Sequence, residues 1–130
     1  MKNNIFNIIK YSYFLLIIIL IIIYLYPGSL IGYFLYGNLE TQPNIISNPI
    51  GTSINHMIYF SLITILAYLI KSKSKNLLIN LKFIFFLSIF LELLHLIIPN
   101  RAFEYFDLIA NIIGVLLAIF LLKLLRWQNT

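Results

Sequence analysis

Residues 91–118 read LELLHLIIPNRAFEYFDLIANIIGVLLA. This stretch decides the fold. An apolar run ends at Ile98, Pro99 and Asn100 break it, and a second apolar run begins near Leu108. Two such runs joined by a short polar turn predict a helical hairpin. Pro cannot continue a helix, because it lacks an N–H and its ring clashes with the preceding turn. Asn100 is the expected N-cap of the following helix, since its side chain accepts a bond from a free backbone N–H. Beyond the turn, Glu104, Asp107, Asn111, Gly114 and Ala118 recur at spacings of three and four. That is one seam of a helix. Its outer half is polar and its inner half small, and small residues let helices approach closely in lipid.

Two more apolar runs precede the hairpin, Tyr11–Tyr26 and Ile54–Ile70, and the hairpin's first arm is the third run, Asn76–Ile98. The hairpin's second arm, Leu108–Leu125, is the fourth run. Spanning the hydrocarbon takes about 20 residues. The first run reaches that length when extended back through Ile5–Ile9, with Lys10 snorkelling to the headgroups. The runs are continuous rather than alternating, so they predict helices and not barrel strands. No A-x-A cleavage pattern surrounds Tyr26–Ser29, so the first run reads as a retained anchor. The expected fold is therefore all-α, a single domain over 1–130 with four transmembrane helices. The connection over 27–53 is its longest loop. Leu30–Tyr36 within it is apolar and aromatic, suited to the interface, and Gly37–Ser53 is expected to be irregular.

Composition agrees. The chain has 130 residues, is 62% hydrophobic and 10% charged, and has a mean hydropathy of +0.97. A chain this short has too little interior to hide that much apolar surface from water. Soluble enzymes, secreted domains and disordered tails are excluded. With no cysteine there is no disulfide, thiol nucleophile or thiolate site. The net charge of +5 is interleaved with Phe, Ile and Leu, so it is no nucleic-acid surface. Eight basic residues lie at the ends that share one side if four spans alternate: Lys2, Lys10, Lys71, Lys73, Lys75, Lys82, Lys123 and Arg126. Arg101 and the four acids, Glu40, Glu92, Glu104 and Asp107, fall on the other. Positive loops stay in the cytoplasm, so both termini are expected inside. The expected location is a bacterial cytoplasmic membrane, crossed several times.

The outer side holds the chemistry. Glu92 and His95 are three apart and share a helix face. A charged group at a helix centre in lipid costs about 2.5–3.5 kcal/mol, so Glu92 needs a partner or a wet cavity. His56 stands at the outer start of the second span, with Thr52 and Ser53 before it as possible caps. Together with Arg101, Asp107 and Asn111 these residues form a candidate site. Arg101 either pairs with Glu104 or holds a phosphate, whose geometry its guanidinium matches. Gly114 and Ala118 are assigned to helix packing. No HExxH or HxxxH spacing supports zinc at His56, His95 and a carboxylate, and neither metal nor cofactor is expected.

The ordered set Glu92-Leu-Leu-His95, Pro99-Asn-Arg101 and Asp107-Leu-Ile-Ala-Asn111-Ile-Ile-Gly114, with His56 and Tyr59 upstream, resembles the VanZ-like membrane proteins over about 55–118. His95 stands where many relatives carry Gln. The resemblance implies a small bacterial membrane protein and a link to low-level resistance to teicoplanin-type lipoglycopeptides. Three functions stay open. One is binding of an envelope lipid headgroup, a lipid-linked cell-wall precursor or a lipoglycopeptide. Another is an intramembrane acid–base transferase or hydrolase, with Glu92, His95 and His56 as candidate catalytic groups. The last is a structural partner subunit, with oligomers a further option.

Overall fold

In the computed structural model, residues 2–42, 51–71 and 79–127 are described. All of their regular structure is helical: α1 (Lys2–Leu25), α2 (Leu30–Tyr36), α3 (Gly51–Lys71), α4 (Leu81–Leu94) and α5 (Tyr105–Trp127). The connections over 43–50 and 72–78, and with them Lys73, Lys75 and the expected start at Asn76, lie outside the described residues.

Among the described residues three helices, α1, α3 and α5, are long and apolar enough to cross a membrane, not the four expected. The correction falls on the third run. Its helix α4 has 14 residues, about 21 Å at 1.5 Å per residue, short of a hydrocarbon core of about 30 Å. Asn80 caps its start by accepting from the Lys82 N–H at 3.0 Å. Its end tightens early. The N–H groups of His95, Leu96 and Ile97 donate to the carbonyls three residues back, at 3.1, 3.2 and 3.0 Å. Such bonds close off orphan carbonyls at a helix end. Pro99 ahead removes the next donor and disfavours a helical Ile98. Asn100 then takes a left-handed φ of 58°, so it turns the chain rather than capping α5. Asn tolerates that region better than most residues. Four residues separate it from the start of α5.

Helix directions follow from the contacts. The end of α1 meets the start of α3, since Tyr24 bonds His56. The starts of α3 and α5 lie together, since Ser53 bonds Asp107. Farther along, Ser61 Oγ donates to the Gly114 carbonyl at 2.9 Å. Helices α3 and α5 are therefore parallel, and the chain must return between them. Helix α4 makes that return, running antiparallel to α5 and bringing Ser88 and Glu92 to Asn111. Tyr13, Ile17, Leu20, Phe60, Ile63, Ile84, Leu91 and Val115 fill the interior. Bulky side chains such as Ile18, Phe86, Leu116 and Phe120 face outward, as lipid-facing surfaces do.

Helix α2 is a short cap at the end of α1. Ser29 accepts from the Gly32 N–H at 2.9 Å, and Gly37 stops the helix at a φ of 69°. The aromatic side chains of Tyr33, Phe34 and Tyr36 are exposed, and residues 37–42 carry no regular element.

Candidate functional site

Four helix ends meet at one end of the bundle: the end of α1, the start of α3, the end of α4 and the start of α5. Each supplies a polar side chain. Tyr24 at the end of α1 is the hub. Its hydroxyl lies 2.7 Å from His56 Nδ1 and donates to Asn111 Oδ1 at 3.0 Å. Its ring stacks on His95, with centroids 5.2 Å apart.

Asn111 is wholly buried and settles the proton pattern around it. Its amide nitrogen donates to the Ser88 carbonyl at 3.2 Å and to Glu92 Oε2 at 3.4 Å. The amide oxygen must therefore be the atom that meets Tyr24. An amide oxygen only accepts, so Tyr24 spends its single proton there. The Tyr24 oxygen then accepts from His56, which carries a proton on Nδ1. That leaves His56 Nε2 facing Asp107 Oδ2 at 3.6 Å.

Two buried carboxylates flank the ring. Glu92 is 0% exposed. A carboxylate taken fully out of water needs compensating donors. Glu92 Oε1 meets His95 Nδ1 at 3.2 Å and the Glu104 N–H at 3.4 Å. Its Oε2 lies 3.8 Å from His56 Nδ1. Asp107 accepts from Ser53 Oγ at 2.6 Å. Ser53 is thus inside α3 and holds Asp107, rather than capping its own helix. His56, Glu92 and Asp107 each bring one donor atom within 4.8 Å of the other two. His95 Nε2 is buried and has no partner among the described residues.

Arg101 stands at the edge of this cluster. It does not pair with Glu104 among the described residues. Instead its Nε donates to the Tyr26 carbonyl at 3.3 Å and its Nη2 donates to the Ile23 carbonyl. These are carbonyls of the end of α1, which carries the negative pole of the helix dipole. Burial pulls the guanidinium below its ordinary range, opposed by Tyr24, Glu92 and Asp107. It remains charged at neutral pH.

A cavity of about 90 Å³ opens between α1, α2 and α3. His56, Arg101, Ser29, Gln42 and Asn55 give it polar lining, and Leu20, Ile23 and Ile31 give it an apolar floor. Glu92, His95, Asp107 and Asn111 do not line it. They stand behind His56 and Tyr24 and fix their positions.

Of the residues expected at the site, His56, Glu92, His95, Asp107 and Asn111 come together, and Arg101 sits beside them. Along the seam of α5, Asp107, Asn111, Gly114 and Ala118 are buried while Glu104 is exposed. Tyr24 was missed. It is one of nine tyrosines, at the end of an apolar run where an interfacial ring is the ordinary reading. Its only sequence signal is its place one turn before Pro27. No curated protein and no solved structure matches the chain. A family model described as VanZ/LLP1 matches residues 8–126, nearly its whole length. The chain belongs to this family, and its apolar helices fit a membrane protein.

Proposed function

We propose that this is a multi-pass protein of the bacterial cytoplasmic membrane whose cavity holds the anionic headgroup of an envelope lipid or lipid-linked precursor. One observation carries the reading: a single small cavity joins Arg101 and His56 to an apolar floor. Such a lining suits a molecule with a charged head and a hydrocarbon tail. Two of the N–H groups of Arg101 hold α1, and among the described residues the other three have no hydrogen-bond partner and suit phosphate or carboxylate. The eight basic residues outside the cluster favour an orientation in which this cavity faces away from the cytoplasm. About 90 Å³ is far below the roughly 300–1,000 Å³ of sites that enclose drug-sized ligands. A cavity of this size suits a headgroup rather than a whole lipoglycopeptide.

Native mass spectrometry of the detergent-purified chain tests this. The probes are phosphatidic acid, undecaprenyl phosphate and phosphatidylcholine. The expected result is retention of the two phosphomonoesters, weakened about tenfold or more in Arg101→Gln and Gln42→Leu proteins that still insert. Equal retention of phosphatidylcholine overturns it.

A second reading is acid–base chemistry on the same headgroup. Of the three candidate catalytic groups only His56 lines the cavity, with Asp107 behind it. Phosphate release from either phosphomonoester, abolished by His56→Asn, would move the assignment from binding to turnover. Gly114 packs against Met57 of α3, so this part of the seam is used within the chain.

A further inference from the structure

We infer that His56, Glu92 and Asp107 form a site for one divalent transition-metal ion, zinc being the species that best matches the donors. This assignment does not rest on the headgroup reading.

The ring of His56 sets the geometry. Its Nδ1 proton is committed to Tyr24, because Asn111 turns its amide oxygen to the same hydroxyl. A neutral ring with its proton on Nδ1 has its lone pair on Nε2, the form in which imidazole binds metals. A second-sphere acceptor on the other nitrogen is the usual companion of a histidine ligand. Among the described residues no side chain or backbone N–H donates to Nε2. It faces Asp107 Oδ2 at 3.6 Å, an acceptor facing an acceptor. Donors about 2.0–2.2 Å from zinc in tetrahedral array stand roughly 3.3–3.6 Å apart. The His56 Nε2–Asp107 Oδ2 pair already has that separation, Glu92 Oε2 lies 3.8 Å from the same ring at Nδ1, and one donor atom of each residue lies within 4.8 Å of those of the other two. Closing on an ion draws the widest pair together by about an ångström.

The surroundings support the carboxylates as metal ligands. Ser53 holds Asp107 Oδ1 at 2.6 Å, while the nearer carboxylate oxygen to the ring is Oδ2. Asn111, His95 and the Glu104 N–H hold Glu92. Among the described residues Arg101 is the fixed cation near these two buried carboxylates, and a dication would offset their charge. His95 is not a ligand: its Nδ1 is turned to Glu92. One nitrogen and two oxygens leave a fourth position open, as in zinc sites that bind water or substrate. His56 also lines the cavity, so that position lies next to whatever the cavity holds.

The spacing along the chain hides this site, because its three donors come from three helices. The test uses the full chain, purified without a polyhistidine tag, stripped with chelator and equilibrated with zinc alone in lipid-free detergent. Metal is counted by mass spectrometry, and cobalt is substituted for its visible d–d absorption. The expected result is about one zinc per chain, a cobalt spectrum of four-coordinate form, and at least a tenfold loss of affinity in both Asp107→Asn and His56→Gln. The Phe120→Leu protein, a control at an outward-facing position away from the cluster, retains the ion. Far-UV circular dichroism establishes that each variant is helical. Wild-type protein without zinc above the detergent blank overturns the inference. So does equal affinity in helical Asp107→Asn and His56→Gln proteins. Lipid is absent throughout, so this outcome is independent of headgroup binding.

Discussion

At the scale of single residues, Tyr24 is the group on which the cluster turns. Removing its hydroxyl in Tyr24→Phe leaves the Asn111 oxygen buried without a donor. An orphaned buried acceptor costs about 1–3 kcal/mol. The variant is expected to unfold at correspondingly lower denaturant in detergent, and an unchanged midpoint would contradict the hub role. Glu104 tests the field of the cluster from outside. Partial desolvation of its largely exposed side chain, then the charges of Asp107 and Glu92, raise its carboxyl above the ordinary value of 4.5. The folded chain therefore keeps this proton to higher pH than the unfolded chain. Below about 4.5 the group has no effect on stability. Stability falls as pH rises through the window above 4.5 and stays lower beyond the folded value. Glu104→Gln removes that penalty. It is expected to stabilise the protein at pH 7 and to change nothing at pH 3.5, as read by thermal unfolding at both values. The site residues on α4 and α5 were legible because helical spacing puts Glu92 with His95 and Asp107 with Asn111. Tyr24 and the true role of Arg101 were not. Both act through partners about 80 residues away in sequence, at |i−j| of 87 and 78, where no local period points.

At the scale of elements, the approach of α3 to α5 rests on Gly114. A Cβ there would lie 2.5 Å from the Met57 carbonyl oxygen, which is backbone and cannot swing away. Gly114→Val therefore forces the two parallel helices apart and breaks the Ser61 bond to the Gly114 carbonyl. Overpacking of this kind costs about 1–3 kcal/mol or more. The expected outcome is a clear loss of thermal stability, with Ala118→Gly a milder change. A Gly114→Val midpoint equal to wild type would show that α3 and α5 are not in contact there. The helical class and the long helices were readable from unbroken apolar runs. The length of α4 was not, because hydropathy stays high through Leu96, Ile97 and Ile98 while the backbone has already left the α-helical pattern. Apolar content reports where a segment is comfortable; the approach of Pro99 reports how it is wound.

At the scale of the whole molecule, the directions of the helices put the start of α1 and the end of α5 at the end opposite the cluster. The chain has no cysteine, so single substitutions report position without a background. Asn38→Cys is expected to react with a membrane-impermeant maleimide in intact cells. Asn4→Cys and Lys123→Cys are expected to react only after permeabilisation. Labelling of the two ends from opposite sides would break the arrangement. The grip of Arg101 on Ile23 and Tyr26 has one more consequence, and it concerns time. Those carbonyls are made 78 residues before the side chain that holds the first of them. At roughly 5–20 residues per second the ribosome takes about 4–16 s to cover that distance. Through that interval the leading helix waits with an open tail, and water or the insertion machinery must lend it donors. The cavity therefore comes into being late, and a nascent chain stalled before residue 101 carries a first helix whose end still lacks the Arg101 cap.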